Sequence, residues 1–185
     1  MTFDAVRVSL FVAGTIGIIV ISWRTLFKVR SHGFFRFFAW EAILALIVLN
    51  LPYWFSSPFS ARQLFSWALL AICTIPLVLG VARLRTSRTA DDRPDTELYA
   101  LERTSQLVTS GIYRYIRHPI YACLLYIAWG AFLKQVTWYT SVLVGFASLT
   151  LLATAMAEER ECTAYFGSQY QDYMKRTKRL LPGIW

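Results

Sequence analysis

Two short stretches gather the residues able to do polar chemistry: GIYRYIRHPIY (111–121) and EERECTAYFGSQ (158–169). Between them they hold three Arg, one His and three Glu, placed at the water-facing ends of two apolar runs, 119–133 and 136–157. Pro119 disfavours helical geometry at His118, so a helix is expected to start there. The free N–H groups and positive dipole end of such a start favour an anion. Arg114, Arg117 and His118 cluster at it, which suits a carboxylate or phosphate; the competing reading is that the arginines merely anchor a helix end. Glu158 and Glu159 are adjacent carboxylates, which repel one another and attract an ammonium, a sulfonium or a metal. Their competing reading is a solvated helix end balanced by nearby bases. His32 and His118 are the only histidines in the chain, so no metal site is expected.

The elements that must position these residues are membrane spans. Of 185 residues, 56% are hydrophobic and 16% charged, too apolar for an ordinary soluble domain. Five apolar stretches, 6–23, 37–55, 64–82, 119–133 and 136–157, approach the roughly 20 residues that cross a bilayer. The fourth is short and needs local thinning or help from its flanks. The first lacks a small-x-small cleavage site before Arg24 and is read as a retained helix. The expected fold class is therefore an all-α integral membrane protein with about five transmembrane helices and a C-terminal interfacial helix. It is read as one membrane domain, 1–185: three N-terminal spans (1–82), a loop (83–110), then a helical hairpin and C-terminal helix (111–185).

The net charge of +8 reads as orientation. With the N-terminus outside, the segments 24–36, 83–117 and 158–185 are cytoplasmic and carry 16 of the 19 Lys and Arg. A nucleic-acid partner is not needed to explain the charge. Cys73, Cys123 and Cys162 are far apart without metal-ligand spacing, and read as small hydrophobes or bystanders. Only Lys134 and Gln135 and a few neighbours join the last two spans, so these form a tight hairpin that brings Arg117 and His118 near Glu158 and Glu159. Beyond it Cys162, Phe166, Tyr170 and Tyr173 recur at helical spacing, with Gly167 as a candidate break. Pro182 and Gly183 stop any helix, and Trp185 suits the headgroup region. Glu41 lies inside the second span, where it either serves function, pairs with Arg36 or snorkels.

The string LVTSGIYRYIRHPIY (107–121), then Glu158-Glu159, Phe166-Gly167-x-x-Tyr170-x-x-Tyr173 and Arg179-x-x-Pro182, resembles the isoprenylcysteine carboxyl methyltransferase family and its relatives, the membrane phospholipid N-methyltransferases. The resemblance covers the C-terminal two-fifths of the chain. It implies a multi-helix membrane enzyme using S-adenosylmethionine, with Arg117, His118, Tyr121, Glu158 and Glu159 in the cofactor pocket at the cytoplasmic face. It also implies catalytic contributions from Arg179 and Glu159. The implied partners are the lipid bilayer and a membrane lipid or lipidated acceptor. Cys123 stands where the family often has Gly, and the first three spans match only as apolar helices.

The residue chemistry is compatible with that cofactor. A basic helix start holds its carboxylate, a glutamate accepts from its ammonium or ribose, and aromatic rings face the sulfonium or adenine. Carboxyl O-methylation and headgroup N-methylation both remain open at this level. Two other classes compete: a membrane reductase using a nicotinamide cofactor, for which the chain is short, and a non-catalytic accessory protein of the same fold.

Overall fold

The computed structural model describes residues 3–87, 106–181 and 183. The centre of the expected loop (88–105), Pro182 and Trp185 lie outside the described residues. Seven α-helices account for nearly all described structure: α1 (Phe3–Leu26), α2 (His32–Asn50), α3 (Ala61–Ile72), α4 (Thr74–Thr86), α5 (Pro119–Phe132), α6 (Trp138–Phe166) and α7 (Ser168–Arg176). There is no β-strand among the described residues. Four helical stretches, Asp4–Leu26, His32–Tyr53, Ala61–Thr86 and Trp138–Phe166, are long and apolar enough to cross a membrane, and Pro119–Phe132 is a shorter apolar helix. The chain is an all-α, multi-pass integral membrane protein.

All five expected apolar runs are helical, with shifted ends, and four of them are long enough to cross. The second begins earlier, at His32, because the Ser31 hydroxyl caps it by accepting from the Phe34 N–H at 3.2 Å. It ends at Asn50, where Pro52 enters a short 3-10 turn. The third is interrupted at Cys73, between α3 and α4. Pro76 has no N–H to offer the carbonyl of Ile72, which accounts for the break.

α2 packs along both α1 and α6, and α5 is enclosed by α2, α3, α4 and α6. The core is built from one face of each central helix: Ala39, Ala42, Ile43 and Leu46 of α2 meet Val144, Ala147, Leu151 and Ala155 of α6. These positions recur at three and four residues, and the many alanines let the backbones approach closely, as membrane helix packing favours. α1 sits outermost, tied to α2 by Arg7, whose guanidinium donates to the carbonyls of Val48 (3.2 Å) and Leu49 (3.0 Å).

α5 has only 14 residues. Its C-terminal carbonyls would be orphaned inside the bundle, but neighbouring side chains take them. Asn50 Nδ2 donates to Ala131 at 2.7 Å and Ser66 Oγ donates to Gly130 at 2.7 Å. Next to them Lys134 is fully buried, its ammonium 3.4 Å from the centre of the Trp67 ring and donating to Gln63 Oε1 at 3.1 Å. α6 then starts on a capping box between Thr137 and Thr140.

Candidate functional site

The site is assembled where α5 begins and α6 ends. His118 is the N-cap of α5 and Pro119 its first residue, as Pro requires. Upstream, Gly111 adopts φ +64°, a left-handed conformation open to glycine, and lets the chain turn over the Arg83 side chain. Arg83 Nε donates to Ser110 Oγ at 2.8 Å, fixing that turn to α4.

The segment 115–118 is then stitched to the chain beyond α7. Ile116 and Lys178 form an isolated parallel bridge. Lys178 N–H donates to Tyr115 at 3.0 Å, Arg117 N–H to Lys178 at 2.8 Å, and His118 N–H to Arg179 at 3.1 Å. The Tyr173 hydroxyl adds a 2.7 Å bond to the carbonyl of Tyr113. Residues 177–179 are the part of the site that sequence reasoning missed as backbone: no periodicity marks a single bridge, and the only signal was Arg179 itself.

Glu159 is the hub of the charge network and is 6% exposed. Its Oε1 accepts from Arg117 Nε at 2.8 Å, and Arg179 grips both its oxygens, with Nη2 to Oε2 at 2.8 Å. Arg117 is held further by the carbonyls of Met174 and Thr177. The His118 imidazole lies between the two carboxylates, Nδ1 3.5 Å from Glu158 Oε2 and Nε2 3.4 Å from Glu159 Oε1, at ion-pair range. Burial works against the imidazolium, but Glu158 and Glu159 outweigh it, so the His118 pKa is raised above its ordinary value. Tyr121 stacks on that imidazole, ring centres 5.4 Å apart and planes 17° from parallel.

In front of this network lies a cavity of about 110 Å³. Its polar wall is Arg117, His118 and Glu158, and Tyr121, Phe166 and Tyr170 supply aromatic surface. Burial raises the phenol pKa of Tyr170 and of Tyr173, which keeps both neutral. Gly80 of α4 admits Pro119 closely: a Cβ there would stand 2.9 Å from the proline Cγ.

The structure therefore brings together all six residues singled out from the sequence, in two layers. Arg117, His118, Tyr121 and Glu158 line the cavity. Glu159 and Arg179 form the ion pair beside it and face a shallow open groove with Arg160 and Met174. Arg114 is exposed and does not line the cavity. Glu41 accepts from Thr15 Oγ1 of α1 at 2.9 Å, a helix-to-helix tie that the sequence reading did not include. Among the described residues, no group of three His, Cys, Asp or Glu side chains converges to hold a metal ion.

Fold and site together define a polytopic membrane protein with a small charged cavity at one end of its last helical hairpin. The family model for phospholipid methyltransferases matches residues 71–169, more than half of the chain, and the chain belongs to that family. It is a membrane methyltransferase by membership. It is also similar to a protein-S-isoprenylcysteine O-methyltransferase of Dictyostelium discoideum, 28% identical over 173 residues that cover 88% of this chain and 70% of that protein. No solved structure matches.

Proposed function

We propose that this chain transfers a methyl group from S-adenosylmethionine to the carboxylate of a lipid-anchored acceptor, at the cytoplasmic face of the membrane, with residues 1–185 acting as one membrane domain. The donor set of the cavity suits the cofactor. Arg117 and His118 offer cations for its carboxylate, Glu158 an acceptor for its ammonium, and Tyr121 and Tyr170 aromatic faces. When bound, the cofactor supplies an electrophilic methyl group on a sulfonium. The residues of the chain bind, orient and exclude water. Glu159 and Arg179 act from behind the cavity, holding Arg117 and His118 in place. The segments flanking the site carry most of the basic residues of the chain, which supports a cytoplasmic site.

The observation that carries the choice of acceptor is that, among the described residues lining the cavity, no side chain is poised as a base. The two carboxylates beside His118 favour its protonated form, Glu158 is paired with it, and burial favours the neutral tyrosines. A protonated amine must shed a proton before it attacks, whereas a carboxylate attacks as it stands. The name of the Dictyostelium relative points the same way. The decisive experiment incubates membranes holding the protein with methyl-labelled S-adenosylmethionine and extracts the lipids and lipidated proteins. Label released by base as methanol is the expected result, and base-stable label in a headgroup would establish N-methylation instead. Thermal stabilisation by S-adenosylhomocysteine, and none by NADPH, is expected alongside it. The reverse would make the protein a reductase.

A further inference from the structure

Glu158 and Glu159 are neighbours on one helix, yet one faces the cavity and the other the arginines. Adjacent helical positions point about 100° apart, so this division holds only while α6 keeps one rotation at its site end. Glu161 sits on the same face as Glu158, at i+3. It reaches across to α2, where its Oε1 accepts from the His32 N–H at 3.0 Å and its Oε2 meets His32 Nδ1. His32 is the first residue of α2 and 3% exposed. Its N–H is one of the helix-start donors that no carbonyl of the same helix can serve, and Glu161 supplies both the acceptor and a negative charge at the positive end of the dipole. The frame is firm: a Cβ on Gly33 would stand 2.4 Å from Thr25 Cβ, so the start of α2 is wedged against the end of α1. His32 is also within electrostatic reach of Glu158. Neither His32 nor Glu161 lines the cavity.

We propose that His32 and Glu161 are positioning residues: the pair locks the rotation of α6 at its site end and so presents Glu158 to His118 and to the bound cofactor. Only the cofactor half of this statement rests on the function proposed above. The test exploits the fact that His32 and His118 are the only histidines in the chain, so ring-labelled protein in detergent gives two signals that one variant assigns. His118 is faced by Glu158 and Glu159 from α6 and by the Tyr121 ring of α5, with Arg117 beside it and Arg179 reached through Glu159. None of these residues is substituted in the Glu161 and His32 variants, so a shift reports the movement of Glu158 rather than the loss of a neighbouring charge.

In Glu161→Ala, His118 should titrate at lower pH as Glu158 swings away, and His32→Ala should show the same shift on its one remaining signal. Glu161→Gln removes the same charge but keeps an acceptor for the His32 N–H, and should titrate close to wild type. An unmoved His118 in Glu161→Ala, or an equal shift in Glu161→Gln, overturns the proposal. The side chain of Glu161 is 41% exposed, so the two Glu161 variants are expected to fold and carry the test if the buried His32→Ala does not. In parallel, the Kd for S-adenosylhomocysteine should rise about tenfold in Glu161→Ala, and not further when Glu158→Ala is already present. Wild-type protein that fails to bind S-adenosylhomocysteine would sink the cofactor reading and leave the titration to decide this one.

Discussion

Replacing Glu159 by Gln separates the two layers of the site. The substitution keeps shape and removes the charge that faces Arg117, Arg179 and the His118 imidazolium. The side chains of Arg117 and Glu159 are each 8% exposed and that of Arg179 is 20% exposed, so little water is available to compensate. Breaking a buried pair by neutralising one partner costs about 3–5 kcal/mol. Arg117 keeps the carbonyls of Met174 and Thr177, which places the loss near the lower end, about 3 kcal/mol. For a chain of this length that corresponds to a melting point lower by roughly 6–12 °C. Glu158→Gln is the comparison. Glu158 is 25% exposed and has one ion-pair contact at 3.5 Å, so its removal should cost under about 1 kcal/mol, while the stabilisation given by S-adenosylhomocysteine should vanish. The assay is thermal unfolding in one detergent at one scan rate, with and without ligand. A Glu159→Gln protein that melts with wild type yet ignores the ligand would refute the division of labour, because it would put Glu159 on the ligand.

Three further outcomes follow from other parts of the structure. The folded pKa of His118 lies above its unfolded value, so its contribution to stability is complete below about pH 6.5 and fades as pH rises through the folded pKa. Melting temperature should therefore decline on the alkaline side, and less so in His118→Gln. Gly80→Ala places a Cβ 2.9 Å from Cγ of the rigid Pro119 ring. It should cost about 1–3 kcal/mol by overpacking and, by pushing the start of α5, weaken S-adenosylhomocysteine binding in a titration. Lys134→Met removes the ammonium over Trp67 and its bond to Gln63. A loss of about 1–2 kcal/mol is expected, and a double-mutant cycle with Trp67→Leu should come out non-additive.

Much of this was legible in the sequence. Apolar run length gave five spans, Pro119 gave the start of α5, and Gly167 gave the break before α7, where it adopts φ +60°. The short link at Lys134 implied the hairpin, and hence the meeting of Arg117 and His118 with Glu158 and Glu159. Composition could not reveal which of two adjacent glutamates faces the cavity, since that depends on helix rotation set by α2. Nor could it show residues 177–179 beside 115–118, because backbone pairing of so few residues leaves no pattern. Glu41 was ambiguous for a related reason: its partner Thr15 lies on another helix, and helix pairing is not written in hydropathy.

The shortness of α5 has a consequence for depth. Its 14 residues rise about 21 Å, while the 26 residues of Ala61–Thr86 and the 29 of α6 beside it rise about 39 and 43 Å. The difference falls at the Pro119 end, where α4 runs on past Gly80 and α6 past Glu158, the residues that meet Pro119 and His118. His118 and the carboxylates floor the recess this leaves. The proposed reacting centre accordingly sits below the rim of the bundle. Lifting a chain out of the bilayer costs about 0.8 kcal/mol for each CH₂ exposed. On the function proposed above, a sunken floor avoids much of that cost, since the water-soluble reactant would descend and the greasy one would stay where it is.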